Sequence, residues 1–143
     1  MSAPAHAQGA ADEAARLADQ ARSAEGGQVF ATGVAALVRL AHRQPARSDA
    51  VVAALTEFVR SDDALRRGIT VDALQSLPLR AREAMVPVLG ELVRTRGEGP
   101  AARLLVRGMA EAGAPGRAAL RQLLEDGDLR GDAAALARMY LRQ

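Results

Sequence analysis

No cysteine occurs in this 143-residue chain, which excludes disulfide frameworks, zinc sites built on thiolates, and thiol catalysis. Tryptophan is absent too, and one Tyr with two Phe leaves little to stack on nucleic-acid bases. Lysine and asparagine are missing and Ile69 is the single isoleucine, a bias expected of a very GC-rich bacterial, actinobacterial genome. Apart from two His, every basic side chain is Arg, 19 of them against 17 acids, for a formal charge of only +2. The isoelectric point near 10.3 reflects arginine staying protonated at very high pH and not a strongly basic surface. No stretch approaches the roughly 18 apolar residues of a membrane span, and the opening SAPAHAQGAADEAAR has neither a basic n-region nor an apolar run. A cytoplasmic protein with no membrane partner is expected.

What the chain does contain is internal repetition. DAVVAALTEFVRS at 49–61 returns as EAMVPVLGELVRT at 83–95. Ala50, Val52, Leu55, Glu57, Val59 and Arg60 are identical to Ala84, Val86, Leu89, Glu91, Val93 and Arg94. A weaker copy at 119–126 puts Leu120, Leu123 and Leu124 where Leu89, Leu92 and Val93 stand. Corresponding leucines recur at Leu37, Leu74, Leu105 and Leu136, and in a second series at Leu55, Leu89 and Leu120. Repetition at this spacing implies stacked units, each burying its apolar side against its neighbours.

Every apolar run has the helical period and none alternates as a strand does. The expected fold is all-α: a short right-handed α-solenoid of antiparallel helix pairs, about seven helices, in one domain over 28–143. Residues 1–9 read as a mobile tail and 10–24 as an Ala-rich helix that packs weakly around Leu17, so 1–27 stand apart. The expected helices cover about 28–42, 48–60, 70–77, 83–95, 100–112, 117–126 and 128–142. Ser48, Thr70 and Asp128 are the expected N-caps and Gly127 a C-cap, with a possible extra turn at 62–67 closed by Gly68. Pro87 implies a kink, or a helix that starts after Glu83.

Two resemblances follow from these residues. RAALRQLLEDGDLRGDAAAL at 117–136 resembles a HEAT repeat, with Leu120, Leu123 and Leu124 in its second helix, Asp126 and Asp128 in its turn, and Leu129-Arg130 opening the next unit. MVPVLGELV at 85–93 is similar to the same family's second helix, including Pro87. Separately, ALVRLAHRQPARSDAVVAALTEFVR at 36–60 resembles the helical segment of actinobacterial pentapeptide-repeat proteins, here without the pentapeptide array. The HEAT resemblance implies a scaffold that binds other proteins.

Chemistry-bearing residues are few. His6 falls in the expected tail and His42 at a helix end where a cation favours the macrodipole, so neither is assigned as a ligand. Asp62, Asp63, Glu125, Asp126 and Asp128 sit at helix ends, where capping accounts for them. No catalytic, metal or cofactor site is expected, and no enzymatic activity. Two surfaces stand out. The last helix spreads apolar residues over half its circumference, which makes Met139, Tyr140 and Leu141 a candidate interaction surface for another protein or a second copy of the chain. Arg39 with Arg43, and Arg103 with Arg107, each at i,i+4, are the alternative: phosphate contacts of a nucleic-acid binder.

Overall fold

The computed structural model describes residues 5–96 and 99–143, with side chains from Glu13 onward except at Gly99. The chain is all-α: eight helices and one short 3-10 turn, with no strand among the described residues. The helices are α1 Ala5–Arg22, α2 Gly27–Arg43, α3 Ser48–Val59, α4 Ala64–Leu74, α5 Leu79–Arg96, α6 Gly99–Ala110, α7 Gly113–Glu125 and α8 Gly131–Leu141. Each of the seven from α2 to α8 overlaps one of the seven expected, though α4 does so only over 70–74. No helix among the described residues is long and apolar enough to cross a membrane. Two compact units divide the chain, Met1–Ala81 and Arg82–Gln143.

In the first unit, α2 supplies the core through Phe30, Val34, Leu37, Leu40 and Ala41, all at most 1% exposed. The Phe30 and Phe58 rings meet edge to face with centroids 5.3 Å apart, a favoured quadrupole arrangement. Residues 1–4 of the expected tail lie outside the described residues, whereas 5–9 already belong to α1. Although Leu17 is its one large apolar residue, α1 buries Ala14, Ala18 and Ala21 as well. Small side chains permit this: a Cβ placed on Gly33 would lie 3.0 Å from that of Ala21, so the two helix backbones run close. Ion pairs tie α1 to both neighbours, Arg22 to Glu57 of α3 at 2.6 Å and Glu13 to Arg43 of α2 at 2.9 Å. The Glu57 hydrogen bond, first among several influences, makes Arg22 more basic than usual.

Several local expectations change. Ser48 is the first residue of α3 and no side chain caps that helix, because the preceding 3-10 turn Pro45–Arg47 leads straight into it. The segment 62–77 holds one continuous helix, α4, in place of a turn and a separate helix. Its N-cap is Asp63, whose Oδ1 accepts from the N–H groups of Leu65 and Arg66 at 2.9 and 3.2 Å. Gly68 sits inside this helix, a cost of about 1 kcal/mol that packing outweighs. Thr70, expected as a cap, is fully buried mid-helix and donates its hydroxyl to the Arg66 carbonyl at 2.8 Å. Pro87, exposed, lies within α5, which begins before Glu83 and continues past it.

The second unit centres on Met85, Leu89, Leu92 and Val93 of α5, Leu105, Val106 and Met109 of α6, and Leu120 and Leu123 of α7. Gly127 (φ +73°) ends α7 as expected. Its N–H reaches Leu124 O at 3.2 Å and the Asp128 N–H reaches Leu123 O at 3.0 Å, the paired bonds of a Schellman motif. Asp128 does not cap α8, whose N-cap is Arg130. It pairs with Arg94 at 3.2 Å instead. The repeat register holds in burial: Leu55, Leu89 and Leu120 are 0, 1 and 0% exposed, and Leu37, Leu74 and Leu105 are 0, 2 and 5%.

Candidate interaction surface on the last helices

Leu136 breaks that register. It is the fourth member of the Leu37 series, yet it is only half-buried. The inward face of α8 is built from Ala133, Ala134 and Ala137 at 6, 4 and 0% exposure, so small residues let α8 approach the rest of its unit closely. That turns Leu136 and Tyr140, one helical turn apart, toward the edge, where with Pro100 and Leu104 of α6 they line an open groove of about 350 Å³. Arg103 and Arg107 line the same groove. Met139, the residue before Tyr140, is 45% exposed, and Leu141 is half-buried.

The end of α8 is held by a residue the sequence does not single out. Arg117 of α7 donates to the carbonyls of Tyr140, Leu141 and Gln143 at 3.0, 3.1 and 3.2 Å, satisfying acceptors left over at a helix C-terminus. Tyr140 and Leu141 are therefore anchored through their backbone while their side chains stay half-exposed. Arg66 does the same for α1, donating to Ala21, Arg22 and Ala24 carbonyls at 3.3, 3.2 and 2.5 Å with its guanidinium 4.9 Å over the Phe30 ring. Arg82 donates to the Glu111 carbonyl at the end of α6 at 2.7 Å. No local signal could have revealed these roles, since donor and acceptor are 23 to 45 residues apart.

The two arginine pairs proposed for phosphate belong to different units, Arg39 and Arg43 to the first and Arg103 and Arg107 to the second. One member of each is engaged by an acid: Arg43 by Glu13 at 2.9 Å and Arg107 by Glu111 at 3.3 Å. Arg39 and Arg103 are exposed. His42 does more than complement a helix dipole, because its Nε2 lies 2.6 Å from the Ser76 carbonyl oxygen and ties the end of α2 to the turn after α4. The side chain of His6 is outside the described residues. Arg94 bridges Asp126 at 3.8 Å as well as Asp128, so those acids form ion pairs beyond any capping role. Among the described residues no cluster of three His, Cys, Asp or Glu could hold a metal.

These features define an all-α protein built on a helical repeat, with a groove between α6 and α8 as its most distinctive surface. No protein-family model, no curated protein and no solved structure matches the chain.

Proposed function

We propose that the chain is a cytoplasmic, non-catalytic protein-interaction or adaptor module on a HEAT-like scaffold, docking its partner through the α8 edge. The observation that carries this reading is Leu136, half-buried where the equivalent Leu37, Leu74 and Leu105 are at most 5% exposed. In a stacked repeat such a position is completed by a neighbour. Met139, Tyr140 and Leu141 extend the uncovered apolar surface around it. Nucleic-acid binding is the weaker reading, because acids already engage Arg43 and Arg107.

Cross-linked capture from the source cell, compared between wild type and Met139→Glu, tests the reading. Proteins retained by wild type and lost with the variant support it. Retention of duplex DNA or heparin that weakens steeply between about 50 and 200 mM salt, with capture unaffected by Met139→Glu, would favour phosphate contacts instead.

A further inference from the structure

We infer that α1 is a reduced copy of the repeated helix and serves as an ionic latch, closed on α2 and α3 at low ionic strength and opened by salt while those two helices stay folded. The device lies within the first unit and is independent of what docks at the α8 edge.

The copy shows when α1 is set against the two phrases. LADQARS at 17–23 matches LTEFVRS at 55–61 and LGELVRT at 89–95. Leu17, Asp19, Arg22 and Ser23 stand where Leu55, Glu57, Arg60 and Ser61 do. What differs is the size of the apolar groups: Gln20 takes the place of Phe58 and Leu92, and Ala21 that of Val59 and Val93. Where α3 buries Val51, Leu55, Phe58 and Val59, α1 therefore buries Leu17 with Ala14, Ala18 and Ala21. Alanine removes little apolar area from water, so burial holds α1 much less firmly than α3.

Polar ties make up the difference. Arg22 engages both oxygens of Glu57 on α3, Nε to Oε2 at 2.6 Å and Nη2 to Oε1 at 3.0 Å, the fork geometry in which a surface ion pair is strongest. The phrase's arginine plays the same part in the second unit, where Arg94 of α5 reaches Asp128 beyond the end of α7 at 3.2 Å. On α1 a second pair lies nine residues away, roughly 13 Å along the helix, where Glu13 meets Arg43 of α2 at 2.9 Å. These four side chains are 29 to 59% exposed, so salt ions reach them. At about 1 M salt the screening length falls to about 3 Å, comparable to the pairs themselves. Arg66 differs, since its bonds go to the carbonyls of Ala21, Arg22 and Ala24 at a partly buried seam, and it holds the last turn as a hinge. The core of α2 and α3 rests on Phe30, Leu37, Leu55 and Phe58, whose burial is not weakened by screening.

Hydrogen exchange of the full chain, compared between about 0.05 and 1 M sodium chloride, tests the latch. Most helical stability comes from packing, so an undocked α1 loses its protection. Each exposed pair contributes about threefold, so the amides of Ala14 to Ala18 should exchange about tenfold faster at high salt while those of α2 and α3 change less than about twofold. The double variant Glu13→Gln, Glu57→Gln removes both pairs without adding charge. It should exchange fast in α1 already at low salt and respond little to more. The wild-type comparison needs no variant and decides the matter even where the double substitution disturbs folding. Exchange in α1 that is unchanged at high salt overturns the latch, as does acceleration shared equally by α1, α2 and α3. A folded double variant that keeps the wild-type salt response overturns it too.

Discussion

The α-carbon of Gly116 packs so closely on the carbonyl oxygen of Met109 that a Cβ built on Gly116 would overlap that oxygen, with the Ala112 Cβ 3.0 Å away on another side. The clash is with backbone, which cannot swing aside as a side-chain tip can. Replacing Gly116 by Ala must therefore push α7 away from the end of α6. Helix propensity favours Ala by about 1 kcal/mol, but overpacking costs about 1 to 3 kcal/mol and a clash with rigid backbone lies toward the upper end, so net destabilisation is expected. Urea unfolding of Gly116→Ala should show a lower midpoint. An unchanged midpoint would mean the two helices are not this close.

The equivalence of Leu55 and Leu89 makes a paired prediction. Both are at most 1% exposed at the same place in the repeated phrase, in different compact units. Truncation of either to Ala should cost about 2 to 5 kcal/mol, by lost burial plus the cavity left behind. Leu136→Ala, at the half-buried member of the other series, should cost clearly less. Chemical denaturation of the three variants side by side checks the ranking, and a Leu136→Ala cost matching the other two would contradict an uncovered α8 edge.

The repeat was legible because it is written in leucines whose burial depends only on helical period and on having a neighbour, and Leu37, Leu55, Leu74, Leu89, Leu105 and Leu120 all reach the core as their spacing implies. Gly127 was legible for a similar reason, since a glycine after an apolar turn is a local signal for a left-handed cap. Misreadings fell where two local signals competed. Thr70 looks like a cap after Gly68, yet Asp63 caps earlier and tertiary contacts carry the helix through the glycine. The inward turn of Ala133, Ala134 and Ala137 was hidden because hydrophobic scale values rank Leu136 and Tyr140 above alanine. Close helix approach rewards small volume instead. Arg66, Arg82 and Arg117 could not be read at all, for their acceptors are carbonyls brought near only by folding.

Arg66 offers the clearest test of such a role. It donates to three carbonyls at the end of α1 and stacks on Phe30, so removing it leaves acceptors unpaired at a partly buried seam. Hydrogen bonds to a charged group contribute about 1.5 to 3 kcal/mol, and Arg66→Leu should lose an amount in that range. The loss should appear first in α1. Hydrogen exchange is expected to quicken for the amides of Ala18 to Arg22 before those of α2, and uniform acceleration across the first unit would argue that Arg66 holds the core and not the end of α1.

Gly68 carries the opposite sign from Gly116. It lies mid-helix in α4, its φ is not positive, and beyond its own stretch of helix no atom stands within 4 Å of where a Cβ would go. Nothing in the folded molecule therefore requires a glycine there, and alanine reduces the backbone freedom lost on folding. Gly68→Ala should stabilise the chain by about 0.5 to 1 kcal/mol. Gly33 falls between the two extremes, since its added Cβ would come within 3.0 Å of the Ala21 Cβ and 3.3 Å of its Cα, so α1 must give by a few tenths of an ångström. The expected order of melting temperatures is Gly68→Ala above wild type, Gly33→Ala below it and Gly116→Ala lowest. Measurement at low micromolar concentration keeps association out of the comparison. If Gly68→Ala were destabilising at that concentration, the space beside Gly68 would be filled within the single chain.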